Sequence, residues 1–348
     1  MKHVGKKALS IGLAAMLTLG TSTTAFAYED TMPVTSTPPY VFNPHAIDLL
    51  PLTVDENSDV HYALPVEDGA ETATVTLAKD DMPEALRTLT ISAFGTALHI
   101  PAAVFAEIPD GASLQFTLAD GSFTFTMLEA DSDEFIWRDK VNAITAEIDF
   151  RAPMDVSTHQ LVIQSNGISV TRSRYTDGKV IAAINQSGTY SPVIAGLGDY
   201  TDMQGHWAYT AVGYLTARGI VSGTIFEPQA VITRGDFHNM LIHAFGAIPQ
   251  LEEGQSLQDV LTRGDIFMHV YGALENAELL PQVFTMQWMM FRDWPDDIES
   301  DAAVAFQNLA KMGVIRGNTQ GCLNLFANAT RAEAAQTLYT ALQYVTAR

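Results

Sequence analysis

The chain has 348 residues, a formal net charge of −21 and a single cysteine. The strong negative charge argues against nucleic acid and anionic lipid as partners, because both require a basic face on the protein. One cysteine excludes a disulfide bond within the chain, so its stability must come from packing.

The first 27 residues have the pattern of a secretory signal peptide. Lys2, Lys6 and Lys7 precede an apolar run at residues 8–19, and residues 25–27 (Ala-Phe-Ala) are typical of a cleavage site. No later run reaches the roughly 20 apolar residues that a membrane span needs. We therefore expect an exported protein with no membrane span.

Residues 28–58 contain several prolines and show no sustained hydrophobic period, which predicts an extended leader or linker. Residues 59–195 then alternate between apolar and polar residues, as strands with one buried face do. Asp-Gly and Asn-Gly pairs separate these segments and favour tight turns. Together they predict an all-β, sandwich-like antiparallel domain. The alternating segments are residues 72–77, 88–91, 114–118, 122–127, 144–150 and 180–184.

No metal or cofactor site is predicted in this β domain. The acidic cluster at residues 131–134 lacks the glycine and the distal glutamate of a calcium loop, which favours a solvated loop. His61, His99 and His159 fall in separate segments and share no ligand spacing.

A four-residue phrase occurs three times in the second half of the chain, at residues 233–236, 262–265 and 330–333. Each copy begins with Thr-Arg, ends with an acidic residue and opens an apolar run with helical spacing. A threonine followed three residues later by an acid is typical of a capped helix start. The arginine at the first helical position makes each start a candidate anion site, with the free amides of the helix as additional donors.

The first complete unit around this phrase resembles the S-layer homology (SLH) module of bacterial cell-surface proteins. Helix, glycine loop and capped second helix follow in the order of that family. The residues that carry the resemblance are Asp202, Gly205, His206, Trp207, Ala208, Leu215, Gly219, Gly223, Phe226, Pro228, Thr233 and Arg234.

The resemblance extends over residues 196–348 as three repeats, at about 196–248, 249–285 and 286–348. The third repeats the template but has Asp301 where the first has Trp207. The middle repeat is expected to be truncated, keeping its capped helix and losing most of its first helix. The family fold implied is an all-α bundle with pseudo-threefold symmetry, following the β domain.

Members of the SLH family anchor exported proteins to Gram-positive-type cell walls through a secondary cell-wall polysaccharide, typically one that bears a pyruvate ketal. The resemblance implies this function, an extracellular location at the wall, and other S-layer proteins as further candidate partners. It implies that the repeated arginines hold the carboxylate and that flanking residues line the sugar, and it predicts that the Arg234→Ala and Arg331→Ala variants bind the wall less well with little loss of stability. The implied site residues are Arg234, Arg263, Arg331, Asp202, Trp207, Gly223, Asp293 and Gly317.

Two alternatives to anchoring remain at this point. The helical bundle could serve as a protein-interaction scaffold, an interpretation favoured by the truncated repeat and the missing second tryptophan. The β domain could be an accessory to a carbohydrate-active enzyme, and this alternative stays open because sequence separation does not fix the spatial gap between paired carboxylates. No nucleophile elbow, phosphate loop or zinc-protease helix is present in the sequence, and we expect no catalytic activity.

Overall fold

The computed structural model describes residues 58–66, 68–78, 82, 85–128, 144–248, 254–281, 291–294 and 300–346. The predicted signal peptide, nearly all of the predicted leader and the acidic cluster at residues 131–134 lie outside these residues. The described chain has a β-rich N-terminal part and a helical C-terminal part, as predicted.

The β-rich part consists of twelve strands in two six-stranded sheets. The first sheet has the order β1-β3-β4-β7-β11-β10, and the second has the order β2-β5-β6-β12-β8-β9. The strands are β1 (Ser58–Ala63), β2 (Thr72–Ala78), β3 (Leu86–Ala93), β4 (Thr96–Pro101), β5 (Ser113–Ala119), β6 (Ser122–Leu128), β7 (Ile144–Asp149), β8 (Leu161–Ser165), β9 (Ile168–Ser169), β10 (Ser173–Thr176), β11 (Lys179–Ile184) and β12 (Gly188–Ile194). A short helix, α1 (Ala102–Glu107), follows β4, and a single turn of 3-10 helix (Thr158–Gln160) precedes β8.

The alternation in the sequence corresponds to burial in these strands. Along β5 every second residue is buried, and Phe116 stacks on Phe125 of β6 with 5.0 Å between ring centroids. Inward-facing side chains from both sheets fill one core. One pairing departs from the predicted antiparallel pattern, because β1 and β3 are parallel. The intervening strand β2 belongs to the other sheet, so the chain crosses over before β3 returns beside β1.

The helical part contains five helices in the described residues. They are α2 (Tyr209–Ala217), α3 (Arg234–Phe245), α4 (Arg263–Asn276), α5 (Ser300–Lys311) and α6 (Arg331–Thr346). Three of them begin at the arginine of the repeated phrase, as predicted. No helix is found in the described residues between α3 and α4, where the first helix of the middle repeat would stand. None of the helices in the described part of the chain has the length and apolar character that crossing a membrane requires.

The side chain of Arg218, which follows α2, joins the helical part to the β-rich part. It is 3% exposed and donates hydrogen bonds to the main-chain carbonyls of His159, Thr171, Ser173 and Tyr214 at 2.6–3.2 Å. Its guanidinium carbon lies 3.4 Å from the centroid of the Tyr214 ring. Burial is the main cause that lowers the pKa of Arg218 to about 10. Since three of these carbonyls belong to the β-rich part, the two parts pack as one unit.

Candidate functional site

The three repeats meet at a closed ring of main-chain hydrogen bonds. Ile232 N–H donates to Ala329 O at 3.0 Å, Ala329 N–H donates to Leu261 O at 2.8 Å, and Leu261 N–H donates to Ile232 O at 3.0 Å. All three residues are fully buried. Each lies two residues before the arginine of its repeat, so the ring brings the three helix starts together.

The first two amides of each capped helix donate to the loop of another repeat. The sequence suggested that these amides would be free to bind an anion, and the structure corrects this, because the ring of repeats supplies a carbonyl for each. The donors considered for a ligand at these starts are therefore the guanidinium N–H groups of the arginines. The pairs are Arg234 N with Asp259 O, Gly235 N with Leu257 O, Arg263 N with Ala327 O, Gly264 N with Leu325 O, Arg331 N with Ala230 O, and Ala332 N with Pro228 O, at 2.8–3.1 Å.

Arg263 is anchored on both sides of its guanidinium. Its Nε donates to Leu323 O at 2.8 Å, and its Nη1 lies 2.6 Å from Glu333 Oε1 on α6. The other carboxylate oxygen of Glu333 accepts from the main-chain N–H of Thr330 at 2.9 Å, which completes the cap of α6. A glutamate is long enough to cap its own helix and also to bind the arginine of the neighbouring repeat.

Arg331 repeats this arrangement with a weaker acid contact. Its Nε donates to Phe226 O at 2.8 Å, and its Nη1 lies 3.6 Å from Asp236 Oδ2 on α3. The Phe226 ring also lies under the guanidinium, with 5.1 Å between the guanidinium carbon and the ring centroid.

Arg234 departs from the pattern. It is 7% exposed, and its Nη1 binds Nε2 of His269 at 2.9 Å instead of a carboxylate. Asp265 is the acid that the pattern would place against it, but Asp265 Oδ2 accepts from the N–H and hydroxyl of Thr262, both at 2.8 Å. The aspartate is one methylene shorter than Glu333, which explains why it caps its helix without also reaching the arginine. The nearest carboxylate oxygen to Arg234, Asp259 Oδ2, lies 3.7 Å from Nη2.

Burial of Arg234 also corrects the expectation that its replacement by alanine would leave stability nearly unchanged. Removing a side chain that is 7% exposed leaves a cavity and breaks the contact of Arg234 with His269 Nε2, and both effects are destabilising. The same holds to a lesser extent for Arg331, whose Nε holds a loop carbonyl.

Asp202 shapes the loop that contacts Arg331. Its carboxylate accepts from the main-chain N–H of Phe226 at 3.0 Å and from that of Glu227 at 2.6 Å. These hydrogen bonds hold the pKa of Asp202 below its ordinary value, and the one from Phe226 has the largest effect. Asp202 therefore acts indirectly on Arg331 of another repeat, because it holds the loop whose Phe226 O accepts from Arg331.

Asp293 plays the equivalent part in the third repeat. It accepts from the main-chain N–H groups of Leu323 at 2.7 Å and Asn324 at 2.6 Å, and Leu323 O in turn accepts from Arg263. The middle repeat supplies no such carbonyl to Arg234, whose Nε has no hydrogen-bond partner among the described residues.

The two predicted loop glycines have different structural roles. Gly223 is exposed and has a φ of +126°, a conformation that favours glycine. Gly317 is packed closely, because a Cβ there would lie 3.0 Å from the main-chain carbon of Gly321 and 3.2 Å from the Phe291 ring. Both glycines form the loops of the site, and a direct contact with a sugar is not needed to explain either.

Trp207 stands immediately before α2 and is 58% exposed, so it does not belong to the buried face of that helix. Its ring lies 5.3 Å from that of His206, whose Nε2 is 3.0 Å from Nε2 of Gln229. An exposed indole held in this way offers an apolar platform to a sugar.

The packing of the helices against one another indicates which arginine shares a groove with Trp207. Helix α2 packs on α6 and α5 packs on α4, with Tyr214 against Tyr339 in one pair and Asn308 against Tyr271 in the other. Trp207 precedes Tyr214 by seven residues, as Asp301 precedes Asn308. Because Asp301 lines the groove of Arg234, the equivalent groove beside Trp207 is that of Arg263.

The groove of Arg234 is a cavity of about 650 Å³ between α4 and α5. Its lining runs along α4 from Asp265 to Glu275 and includes Asp301 and Val304 of α5. Its lining includes Arg234, Asp265, His269, Tyr271, Glu275 and Asp301.

Sequence reasoning missed two residues of this region. His269 lies six residues after Arg263, a position occupied by Met240 in α3 and Thr337 in α6, so comparison of the repeats would have singled it out. Phe326 is 79% exposed and lies between the two carbonyls that accept from the start of α4. An exposed aromatic residue in a loop carries no periodic signal, and only the structure places it beside Arg263.

The fold and the site define a repeat protein in which capped helices and glycine loops from neighbouring repeats build shared grooves. The family model of the S-layer homology domain matches residues 199–237, which span α2, the glycine loop and the start of α3. The chain is therefore an S-layer homology domain-containing protein, and this domain indicates an extracellular protein associated with the cell surface through polymers of the cell wall. Among curated proteins, no match to the chain was found.

Proposed function

We propose that the protein is exported and anchors non-covalently to a Gram-positive-type cell wall by binding a pyruvylated secondary cell-wall polysaccharide. The observation that carries this proposal is the assignment of the exposed Trp207 to the groove of Arg263. A guanidinium and an indole on one groove suit a sugar with an acidic substituent, since the first binds the carboxylate and the second the sugar face.

The three grooves are expected to contribute unequally. Arg263 binds a loop carbonyl and an acid, and its groove is the one assigned to Trp207. Arg331 lies next to α3 instead, and the described residues contain no first helix of the middle repeat to form the other side of its groove. The Arg263 groove is thus the principal polysaccharide site.

The β domain is proposed to be a displayed structural or binding module, held at a constant orientation by Arg218, with other S-layer proteins as its partners at the surface. One network in this domain has the composition of a nucleophile–base–acid triad: Thr90 Oγ1 lies 2.9 Å from His99 Nδ1, and His99 Nε2 lies 3.3 Å from Glu147 Oε1. Thr90 is 6% exposed, and Glu147 also binds Lys179 at 2.8 Å, which favours a structural network over catalysis.

The proposal is tested by binding to purified cell-wall sacculi before and after hydrofluoric acid removes the polysaccharide. We expect binding to intact sacculi only, with a loss of at least tenfold in affinity for Trp207→Ala and no change in thermal stability. Met154→Ala, at a fully exposed apolar residue of the β domain, is the matched control. Equal binding to stripped sacculi, or normal binding of Trp207→Ala, would contradict the proposal.

A further inference from the structure

A small pocket lies between the β-rich part and the helical part. It has a volume of about 150 Å³ and is formed by the 3-10 turn, β10, the end of α2 and the end of α6. Pockets that enclose drug-sized molecules have roughly 300–1,000 Å³, so this one suits a small ligand or a small group of a larger one. Its lining includes Thr158, His159, Arg174, Arg218, Gln343 and Thr346.

The pocket is positively charged in a protein whose formal net charge is −21. Arg174 and Arg218 both line it, whereas no aspartate or glutamate is among its described lining residues. Neither arginine forms a salt bridge with another described residue. His159 adds no charge at neutral pH, because burial and, to a smaller extent, the charge of Arg218 lower its pKa.

Arg218 keeps its charge in spite of its hydrogen bonds. The four main-chain carbonyls that accept from it are neutral, and a buried charge without a counter-ion is costly. A guanidinium has five N–H donors, and these bonds use the one on Nε, both on Nη1 and one of the two on Nη2. The second N–H of Nη2 has no partner among the described residues, so it is left for a ligand.

Thr346, the last residue of α6, also lacks a partner. Its side chain is 9% exposed, and its buried hydroxyl has no hydrogen-bond partner among the described residues. By contrast, Thr337 and Thr340 of the same helix donate to the carbonyls of Glu333 and Gln336. An unpaired buried hydroxyl is destabilising, so a ligand atom that accepts from it is favoured.

The helix ends oppose an anion here, but only in part. Both α2 and α6 end at the pocket, and the C-terminus of a helix carries about half a negative charge. Two such ends amount to about one negative charge, against two positive charges from Arg174 and Arg218. The carbonyl of Tyr214, in the last turn of α2, is also bonded to Arg218 already. The balance of charge therefore favours an anion.

We propose that this pocket binds a small tetrahedral oxyanion, with the chemistry of phosphate or sulfate, and that the anion ties the end of α6 to the β-rich part. Arg174 and Arg218 supply the charge, and the hydroxyl of Thr346 supplies a further donor. These donors come from three different elements, and a tetrahedral anion has oxygens for all of them, whereas a carboxylate has only two. The proposal does not depend on the anchoring function.

The test is calorimetric titration of the whole protein with sodium phosphate and sodium sulfate, in a buffer free of other oxyanions and at constant ionic strength. We expect saturable binding of one anion per chain, about tenfold tighter than the binding of acetate. No saturable binding of either oxyanion, or equal affinity for acetate, would overturn the proposal.

Glycerol 3-phosphate distinguishes the two sources of such a group. Binding at least as tight as that of phosphate would support the proposal with a phosphate ester of a larger molecule as the ligand. Weaker binding would support it with a free inorganic anion as the ligand.

Variants assign the anion to the pocket. Arg174→Gln should weaken phosphate binding about tenfold, because it removes one of the two charges. Thr346→Val keeps the shape of the side chain and should weaken binding about fivefold. Arg316→Gln, at an exposed arginine of the helical part, is the control and should bind as the wild type does. Circular dichroism checks that each variant is folded, and wild-type affinity in both Arg174→Gln and Thr346→Val would overturn the proposal.

Stability provides a second measurement. An anion that binds only the folded chain raises the melting temperature as its concentration increases. We expect phosphate to raise the melting temperature of the wild type more than that of Thr346→Val, and sodium chloride at the same ionic strength to raise both equally. An equal effect of phosphate on both proteins would indicate a general salt effect and contradict the proposed site.

Discussion

Nη1 of Arg263 and Oε1 of Glu333 lie 2.6 Å apart although the two residues begin helices of different repeats. The glutamate caps α6 with its other oxygen, so one side chain ties a helix start to its neighbour. In the other repeats the corresponding contact is longer or absent. The distance between Arg331 Nη1 and Asp236 Oδ2 is 3.6 Å, and Arg234 binds His269 instead of an acid of the repeated phrase. Glu333 caps its helix and also binds an arginine, whereas Asp265 caps α4 and Arg234 binds His269 instead.

Exchanging the two acids tests this relationship. Glu333→Asp should lower the free energy of unfolding by about 1 kcal/mol, because an aspartate cannot cap α6 and also reach Arg263. Asp265→Glu should bring a carboxylate to Arg234 and raise stability by a similar amount. Urea denaturation measures both changes. Glu275→Asp, at an exposed position of α4, is the control and should cost only a few tenths of a kcal/mol. An unchanged Glu333→Asp variant would show that the contact between repeats contributes nothing.

Replacing Arg218 should weaken the union of the β-rich and helical parts. Arg218→Met leaves four carbonyl acceptors without their donor, and we expect a loss of about 3 kcal/mol in the free energy of unfolding. Urea unfolding followed by near-ultraviolet dichroism should separate into two transitions. The exposed Arg316, replaced in the same way, is the control. A single transition at the wild-type midpoint in Arg218→Met would contradict the assigned role.

His238 should make stability depend on pH. It is 3% exposed, and neither ring nitrogen has a hydrogen-bond partner among the described residues. Burial is the main cause that lowers its pKa to about 4, and the nearby His269 and Arg234 lower it further. Because the native pKa lies below the ordinary value of 6.5, the stabilising contribution is complete above pH 6.5 and is lost as the pH falls towards 4. The full loss is on the order of 3 kcal/mol.

The variant His238→Phe should remove this part of the pH dependence. Phenylalanine already occupies the corresponding position of α4, as Phe267. Denaturation at a series of pH values between 7 and 4 provides the comparison, with His243→Gln, an exposed histidine of the same helix, as the control. A His238→Phe variant with the slope of the wild type would rule out His238 as the titrating group.

Asp202→Asn should loosen the loop that holds Arg331. The pKa of Asp202 is lowered by hydrogen bonds from main-chain N–H groups, so the stabilising contribution is present at neutral pH and disappears only as the pH falls through that lowered value. In the variant, hydrogen exchange at the amides of Phe226 and Glu227 should become faster at neutral pH. The exposed neighbour Asp199, changed to asparagine, should leave these amides protected. Unchanged exchange in Asp202→Asn would contradict the assignment.

Local features of the fold follow from local sequence. The strands lie where residues alternate, because a half-buried strand has a period of two, and α3, α4 and α6 begin at the predicted arginines because a threonine cap acts within one turn. The division into a β-rich and a helical part was predictable for the same reason.

The partners of the site residues were decided by tertiary structure. Asp202 acts on Arg331, the packing register assigns Trp207 to the groove of Arg263, and Arg234 is buried against His269, although Asp202, Trp207 and Arg234 all belong to the first repeat. The repeats close through the hydrogen bonds of Ile232, Leu261 and Ala329, so each groove forms between repeats and takes its walls from segments far apart in the chain. Helix capping and strand alternation act over a few residues, so both can be recognised in the local sequence. Closure of the ring depends on packing among all the repeats at once, and no local pattern encodes it.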